Sequence, residues 1–290
     1  MVLKDYAIDQ VSFQVREAHD FSWLKDLGYV FKVFDEQDSG NICFGVERDG
    51  KRKFVKYAGA KPQDYLGDAK MAVKRLKDAV PLYEELAHRN LIQYLDDFET
   101  KEGQVIVFDW FEGECLHPHW AYPPPQKYTH PESPYFKYRH LPLRKRLASF
   151  DAILTFHVFM ESRGYVAIDL YDGSILYDFE TGITKVCDID FYNKGPVLNT
   201  IGEEFWGSTR SKSPEEFEKG QLINHQSNAY TLGALAYSIF GGETDRSLEN
   251  WEAGEELYSV AKKATERNRS DRFSSIHRLK EEWDRRNPYL

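Results

Sequence analysis

Cysteine is scarce in this sequence of 290 residues. Cys43, Cys115 and Cys187 lie far apart, form no CxxC pair and are odd in number. Disulfide-stapled secreted domains and cysteine zinc sites need several cysteines at short spacings, so the sequence indicates neither class. Because widely spaced free thiols are typical of a reducing compartment, we expect a cytoplasmic protein.

Long apolar runs are also missing. The sequence contains no stretch of about 18 apolar residues that could span a bilayer. The N-terminal sequence MVLKDYAIDQVSFQV lacks the apolar core of a secretory signal. From this pattern we expect no association with a membrane.

Positive charge is not in excess either. The chain has 38 Lys and Arg residues against 47 Asp and Glu residues, which gives a formal net charge of −9. A protein that binds nucleic acid neutralises phosphates with concentrated Lys and Arg. The charge therefore predicts that nucleic acid is not a partner.

Aromatic residues, in contrast, are abundant. The sequence contains 19 Phe and 18 Tyr residues, and hydrophobic residues make up 41% of it. This composition is typical of a folded protein with a packed core. Since a domain usually has about 100–200 residues, the length permits one large domain or two modest ones.

Apolar and polar residues alternate at period two through much of the first hundred residues, which predicts strands. The segments are YVFKVFD, NICFGVE and KFVKYAG, followed later by LIQYLDDFE and QVIVFDWFE. Asp49-Gly50 lies between the second and third segments and is a two-residue hairpin signal. We therefore expect an antiparallel sheet.

A helical pattern interrupts these strands between Gln63 and His88. Apolar residues recur there every three or four positions, which predicts a helix. They are Leu66, Ala69, Val73, Leu76 and Val80. Pro81 has no N–H to donate, so we expect the helix to break or restart at this residue.

The rest of the chain is mainly helical, with short strands that carry acidic residues. Residues 115–140 are dense in Pro, His and aromatics and predict a loop-like insertion. Its histidines are irregularly spaced, which favours surface or aromatic packing over a zinc site. They are His117, His119, His130 and His140. The whole pattern predicts an α+β fold with a strand-rich lobe at 1–110 and a helix-rich lobe at 111–290.

Four charged residues stand in otherwise apolar strands. Asp169 directly follows Val-Ala-Ile, Asp188 and Asp190 interrupt KVCDIDF, and Lys56 interrupts FVKYA. Buried carboxylates are costly unless they are paired or bind a metal, so a magnesium site and a buried salt bridge are both open. A lone strand Lys usually belongs to a solvated face or a sheet edge.

These motifs, taken in order, resemble those of the protein kinase superfamily. FVKYA matches the strand with the kinase Lys, AIDLYDGSILYD the catalytic loop, CDIDF the metal-binding D-F-G motif, and GSTRSKSPEEF the substrate-docking loop. Downstream, NAYTLGALAYSIFGG resembles the central helix with Asn228 at its Asp, and Arg272 in RNRSDRF would hold Glu215. The likeness runs from about Gly28 to the C-terminal helices and is of the bacterial Ser/Thr kinase type.

The resemblance implies a bilobal protein-kinase-like fold that uses ATP and Mg²⁺. Asp169 would be the catalytic residue that orients a Ser or Thr hydroxyl of a protein substrate. Lys56 would hold the α and β phosphates, and Asp188 would bind Mg²⁺ together with Ser174.

Four further residues are implied at the nucleotide site. Gly40 would belong to the phosphate loop, Asp109 and Phe111 to the hinge that contacts ATP, and Asp78 would pair with Lys56. The oligomeric state is not indicated by any of these motifs.

The chain departs from the kinase pattern at several positions. Ala167 and Ile168 replace the His-Arg pair of the catalytic loop, Tyr171 replaces a Lys, and Asp190 replaces the Gly of D-F-G. DSGNICFG contains no G-x-G-x-x-G motif. A pseudokinase that binds nucleotide or a partner is therefore an alternative. A small-molecule kinase of the aminoglycoside-phosphotransferase type is a second alternative, although the docking loop favours a protein substrate.

Overall fold

A computed structural model describes residues 3–36 and 38–289. Within them the chain divides into two compact units. The first contains the described residues up to Ala87 together with Ile92–Glu112, and the second contains His88–Leu91 and the chain from Gly113 onward. The N-terminal region holds an antiparallel sheet and the C-terminal region is mainly helical, which confirms the predicted α+β class.

The first unit is built on a five-stranded antiparallel sheet and a two-stranded hairpin. Its elements are β1 Lys4–Ile8, β2 Val11–Val15, α1 Leu24–Leu27, β3 Tyr29–Phe34, β4 Asn41–Arg48, β5 Lys51–Ala58, α2 Ala69–Glu85, β6 Tyr94–Glu99 and β7 Gln104–Asp109. The order in the sheet is β3-β4-β5-β7-β6. Asp49 and Gly50 both have positive φ, 53° and 72°, as the predicted hairpin turn requires.

The two faces of this sheet bury different elements. Val55 and Tyr57 of β5 join Phe44 in a cluster with residues of the β1–β2 hairpin. On the other face α2 packs against β5 and β7, where the rings of Tyr83 and Phe108 lie 4.8 Å apart. Because side chains alternate along a strand, the residues between those facing the hairpin must face α2.

Helix α2 begins later than the sequence predicts. Asp68 caps it by accepting a hydrogen bond from the N–H of Lys70 at 2.9 Å. Leu66, expected in the apolar stripe, precedes the helix and is 82% exposed. The prediction of a helix from Gln63 is therefore wrong, because the Asp68 cap satisfies an otherwise free N–H group and fixes the start.

The predicted break at Pro81 is also wrong, since α2 continues through this residue. Ala79 and Leu82, on either side of it, are both buried, whereas Pro81 itself faces solvent. A proline inside a helix loses one backbone hydrogen bond. The burial of the apolar face before and after Pro81 holds the helix together despite that loss.

The second unit contains most of the helices and three small sheets. Its elements are β8 Glu114–Cys115, α3 Gln126–Thr129, α4 Pro134–Arg139, α5 Leu143–Ser162, β9 Tyr165–Val166, β10 Ile175–Tyr177, β11 Thr184–Val186, β12 Asn193–Lys194, β13 Val197–Leu198, β14 Leu222–Ile223, α6 His225–Phe240, α7 Gly254–Ala264 and α8 Ile276–Arg286. Among the described residues, no helix is both long and apolar enough to cross a bilayer.

The predicted loop at 115–140 contains two short helices, α3 and α4. Ser133 caps α4 by accepting a hydrogen bond from the N–H of Phe136 at 3.4 Å. Tyr135 and Tyr138 are buried, and the Tyr135 hydroxyl donates to the carbonyl of Ser238 in α6 at 2.7 Å. The segment is therefore an ordered insertion packed on the helical unit rather than a loop.

Three aromatic rings from different helices form the centre of the second unit. Phe150 of α5 lies 4.8 Å from Trp283 of α8 and 5.7 Å from Phe240 of α6, measured between ring centroids. All three side chains are at most 1% exposed. Their contact joins helices that are distant in sequence.

Replacing Trp283 with Ala should lower the free energy of unfolding by about 3 to 5 kcal/mol, because the small side chain leaves a cavity between α5, α6 and α8. Urea denaturation followed by circular dichroism measures the loss. Trp206→Ala is the matched control, since Trp206 is 43% exposed. Equal losses in the two variants would contradict the central role of Trp283.

Candidate active site

The backbone before Asp169 is held by a side chain of helix α6. Asn228 is fully buried, and its Oδ1 accepts from the N–H of Ala167 at 2.8 Å while its Nδ2 donates to the C=O of Ala167 at 2.7 Å. Asp169 itself is half-buried and has a φ of 65°, a left-handed conformation that is uncommon for a residue with a side chain. The segment 167–174, called here the Asp169 loop, is thus fixed at its start.

The residue after Ala167 explains one departure from the kinase pattern. Ile168 is buried in an apolar cluster with Phe205 and Ile223. A cation at this place would be surrounded by apolar side chains, which is costly. The pocket is therefore built for Ile168 and not for Arg.

Two hydrogen bonds of Ser174, one from its side chain and one to its backbone, bring Asp188 next to the Asp169 loop. The Ser174 hydroxyl donates to the C=O of Asp169 at 3.1 Å, and the N–H of Cys187 donates to the C=O of Ser174 at 2.9 Å. Strands β10 and β11 continue this pairing, with Ile175 opposite Val186. Asp188 is the next residue after Cys187. It is exposed and has a φ of 54°.

The charges of Asp169 and Asp188 both affect the phenol of Tyr171. Burial raises the pKa of Tyr171, and the negative charges of Asp169 and Asp188 raise it further. Both acids therefore lie close enough to this ring to act on it electrostatically. Tyr171 is neutral, so it gives the site no positive charge where the kinase pattern has a Lys.

The segment after Asp190 is anchored to helix α5. Asp190 is buried, and Tyr192 lies two residues beyond it. The Nδ1 of His157 donates to the C=O of Ile153 at 2.8 Å, and its Nε2 lies 2.8 Å from the Tyr192 hydroxyl. Burial lowers the pKa of His157 to about 4, so the ring is neutral and Nε2 accepts the phenol hydrogen.

The segment 207–216, called here the docking segment, is fastened at its end by an ion pair. The two carboxylate oxygens of Glu215 accept from the two terminal nitrogens of Arg272, both at 2.9 Å. Burial opposes ionisation of Glu215, but Arg272 outweighs it and lowers the pKa of this carboxyl. The predicted pairing of Arg272 with Glu215 is confirmed.

The docking segment also passes beside Asp169. A Cβ built on Gly207 would lie 3.1 Å from Cγ of Lys212 and 3.7 Å from Cα of Asp169. The φ of Gly207 is 121°, a conformation that other residues rarely adopt. Glycine at this position therefore permits the close approach of the docking segment to the Asp169 loop.

Glu216, the neighbour of Glu215, is a buried carboxyl with unusual titration. It accepts hydrogen bonds from the N–H and the hydroxyl of Ser213, at 2.7 and 2.8 Å. Burial raises the pKa of Glu216 to about 7, although the Ser213 hydrogen bonds and the charge of Lys212 act in the opposite direction. The carboxyl is therefore neutral in mildly acidic solution.

Lys56 lies in the first unit on β5, which has a strand on each side. Its direct neighbours across the sheet are Cys43 and Ile106, and it is 7% exposed. Because Val55 and Tyr57 face the hairpin, Lys56 faces α2. Lys56 is therefore buried on a central strand. This excludes the interpretation that it belongs to a solvated face or a sheet edge.

The other predicted nucleotide-site residues have local roles in the structure. A Cβ on Gly40 would lie 2.8 Å from Cβ of Ala72, so the glycine permits packing. Asp78 lies on the exposed face of α2 and pairs with Lys74, which does not support its assignment to Lys56. Asp109 is exposed at the end of β7, where its N–H donates to the C=O of Gln93 at 2.9 Å. Phe111 is half-buried.

The insertion histidines are spread among different contacts. His119 packs against Trp120, His130 against Tyr122 and His140 against Phe136, whereas His117 is buried. In residues 3–36 and 38–289, no group of three or more His, Cys, Asp or Glu side chains is arranged to hold a metal ion.

The sequence is similar to those of several known protein kinases. Serine/threonine-protein kinase 36 of Pongo abelii is 23% identical over 204 residues, and Serine/threonine-protein kinase RUNKEL of Arabidopsis thaliana is 22% identical over 206. Mitogen-activated protein kinase kinase kinase 1a of Physcomitrium patens is 24% identical over 200 residues. These similarities support membership of the protein kinase superfamily.

The matches cover 70%, 69% and 69% of this chain. They cover only 14%, 13% and 24% of the three relatives, so the chain spans less than a quarter of their length. No protein-family model matches the chain. The likeness therefore concerns one part of much longer proteins.

One feature near the Asp169 loop was not found from the sequence. Asp172 opens a short 3₁₀ turn, Asp172–Ser174, but its side chain is 2% exposed and its carboxylate lies 2.6 Å from the ammonium of Lys127. Lys127 belongs to the insertion and is itself fully buried. No sequence pattern pairs these residues, because they meet only through tertiary packing.

Replacing Asn228 with Ala should destabilise the protein by about 2 to 5 kcal/mol, because it leaves the buried N–H and C=O of Ala167 without partners. The control Asn250→Ala removes an exposed amide and should change stability by about 0.5 kcal/mol or less. Denaturant unfolding compares the two variants. Similar stabilities would show that Asn228 does not hold the Asp169 loop.

Replacing Glu216 with Gln should remove a pH-dependent loss of folding stability. The folded state prefers the neutral acid, so this contribution to stability is full below pH 4.5 and is lost as pH rises through about 7. Gln is neutral at every pH. The free energy of unfolding of the variant, relative to that of wild type, should therefore rise by up to about 3 kcal/mol between pH 5 and pH 8. Thermal melts at both pH values measure the gap, and a constant gap would contradict the raised pKa.

Proposed function

We propose that this chain is an ATP-dependent phosphotransferase that phosphorylates Ser or Thr of a protein substrate. The observation that carries the proposal is the hydrogen bond from Cys187 to Ser174, which sets Asp188 beside the Asp169 loop. In the proposal, 1–110 is the ATP-binding lobe and 111–290 the catalytic lobe. Kinase relatives at low identity support the class of reaction.

Asp169 is the catalytic residue of the proposal. Its carboxylate would accept a hydrogen bond from the substrate hydroxyl and orient the oxygen toward the transferred phosphoryl group. Asn228 and Ser174 hold the backbone before and at Asp169, so the backbone that carries the carboxylate is fixed before substrate arrives. This is catalysis by orientation, which needs no covalent intermediate on the protein.

Lys56 would bind the α and β phosphates of ATP, with Gly40, Asp109 and Phe111 as further proposed nucleotide contacts. A buried ammonium on a rigid central strand keeps a fixed position. Burial also strengthens its attraction to a phosphate, since less water screens the charges.

The donor set fits Mg²⁺, which prefers one or two carboxylates together with substrate phosphates and water. The exposed carboxylate of Asp188 would hold the ion, and Ser174 has an oxygen that donates to Asp169 but still has lone pairs to offer. When bound, Mg²⁺ neutralises charge on the phosphate oxygens. Tyr171 adds no cation near these groups, so we expect a slow enzyme.

A nucleotide-binding module without transfer is the second candidate. The neutral phenol of Tyr171 lies close to Asp169 and Asp188, where the kinase pattern has a Lys. Without that cation the transition state of phosphoryl transfer is less stabilised, which favours a binding module. The Glu215–Arg272 ion pair, which fixes the docking segment, supports a protein substrate over a small alcohol.

Wild-type protein incubated with labelled ATP and Mg²⁺ should transfer label to protein substrates. Asp169→Asn and Asp188→Asn should each lower transfer by about a hundredfold or more, because they remove the orienting and the metal-binding carboxylate. Asp49→Asn is the matched control, since Asp49 is exposed in a hairpin turn that also suits Asn. Scintillation counting of separated protein bands gives the rates.

The outcomes separate the candidates. Label on protein with wild type and Asp49→Asn only supports the proposal. ATP binding without transfer to proteins or to small alcohols would contradict it in favour of the binding module. Transfer to small alcohols alone would indicate a small-molecule kinase.

A further inference from the structure

Five charged or polar side chains form a buried ionic cluster in the second unit: His117, Lys127, Asp172, Arg210 and Glu243. The ammonium of Lys127 lies 2.6 Å from Oδ2 of Asp172 and 2.6 Å from Oε1 of Glu243. Asp172 is 2% exposed, Glu243 is 7% exposed and Lys127 is fully buried. Such burial requires that charges be balanced locally.

Arg210, which belongs to the docking segment, supplies the second positive charge of the cluster. Its terminal nitrogen donates to Oδ1 of Asp172 at 2.9 Å, and its Nε lies 3.3 Å from Oε1 of Glu243. The same terminal nitrogen lies 3.2 Å from Nδ1 of His117. Two cations therefore each contact both acids, and the four formal charges sum to zero.

Aromatic rings close the cluster on the side of the insertion. The Lys127 ammonium lies 4.1 Å from the ring centre of Tyr135 and 5.0 Å from that of Tyr128. The Tyr128 hydroxyl donates to Oε2 of Glu243 at 2.5 Å. These contacts hold Lys127 and Glu243 without any help from Arg210.

Asp172 remains charged despite its burial. Burial opposes ionisation of Asp172, but contacts with His117, Lys127 and Arg210 outweigh it, and the pKa of Asp172 is well below its ordinary range. The attraction between Asp172 and Arg210 therefore persists through the neutral pH range.

The cluster joins the two segments that meet at Asp169. Asp172 is the third residue after Asp169 in the same loop, and Arg210 lies between Gly207 and Lys212, which run beside Asp169. Buried ion networks add little to stability compared with apolar packing, but they admit few alternative arrangements. An ionic tie at this place restricts where the docking segment can lie relative to Asp169.

We propose that Arg210 is a positioning residue, which ties the docking segment to Asp172 so that the segment is ordered for a peptide without being phosphorylated. Lys127 and Glu243 neutralise the buried pair but do not themselves hold the segment. The catalytic part of this inference rests on the proposed function. The ordering of the segment does not, because it is a property of the protein without substrate.

Two charge-balanced double variants test the tie. R210Q/E243Q removes one cation and one anion and leaves the Lys127–Asp172 pair, but frees the docking segment. K127M/E243Q removes the same number of charges and leaves the Asp172–Arg210 pair, so the segment stays tied. Both variants share the loss of Glu243, and they differ in the cation that is removed and in the side chain that replaces it.

Amide hydrogen exchange read out by mass spectrometry tests the ordering directly. Exchange in peptides covering 207–213 should rise in R210Q/E243Q and stay near wild type in K127M/E243Q. Equal exchange in the two variants, or wild-type exchange in R210Q/E243Q, would overturn the proposal. This measurement needs no phosphotransfer and therefore stands even if the proposed function fails.

Kinetics test the catalytic part. R210Q/E243Q should lose on the order of tenfold to a hundredfold in kcat/KM for a peptide, since small misplacement of a reacting group is costly. Its Kd for ATP should be unchanged, and R210K/E243Q should recover part of the loss. Equal kinetic losses in K127M/E243Q would indicate a structural cluster only.

Phosphatase treatment tests independence from phosphorylation. Wild-type protein shown by mass spectrometry to carry no phosphate should transfer at the same rate as untreated protein. Activity that disappears with the phosphate and returns when the docking segment is phosphorylated again would overturn the proposal.

Discussion

The double hydrogen bond between the Asn228 amide and the Ala167 peptide is the contact on which the placement of Asp169 depends. An amide side chain can accept from a peptide N–H and donate to the C=O at the same time, and burial makes the loss of either bond costly. Helix α6 is part of the aromatic centre of its unit through Phe240. The side chain of Asn228 therefore connects the helical core directly to the Asp169 loop.

Ionisable groups around this loop follow a single physical rule, which is that burial is tolerated when each charge has a partner. Asp172 and Glu215 remain charged because Arg and Lys contact them. Glu216 has backbone and hydroxyl donors but a more distant cation, and burial therefore raises its pKa to about 7. His157 has no acid among its hydrogen-bond partners and stays neutral while it anchors Tyr192.

Much of the fold was predictable because its signals are local. The period-two strands, the Asp49-Gly50 turn and the Arg272–Glu215 pairing follow from short stretches of sequence or from the order of motifs. Pro81 and the insertion were not predictable, because apolar burial on α2 outweighs a lost hydrogen bond and because Tyr135 orders its segment by packing on α6. The cluster around Asp172 was missed since its members are scattered along the chain.

The sequence by itself determined the α+β class, and it predicted the residues proposed for phosphotransfer, Asp169, Asp188 and Lys56, from their kinase-like order. Alternation and motif spacing are properties of neighbouring residues, so they survive without knowledge of the fold. Only the tertiary structure decided which of these charges are buried and which partners they have. Burial and pairing arise when distant segments meet, as Lys127 and Arg210 meet Asp172, and no local pattern records that meeting.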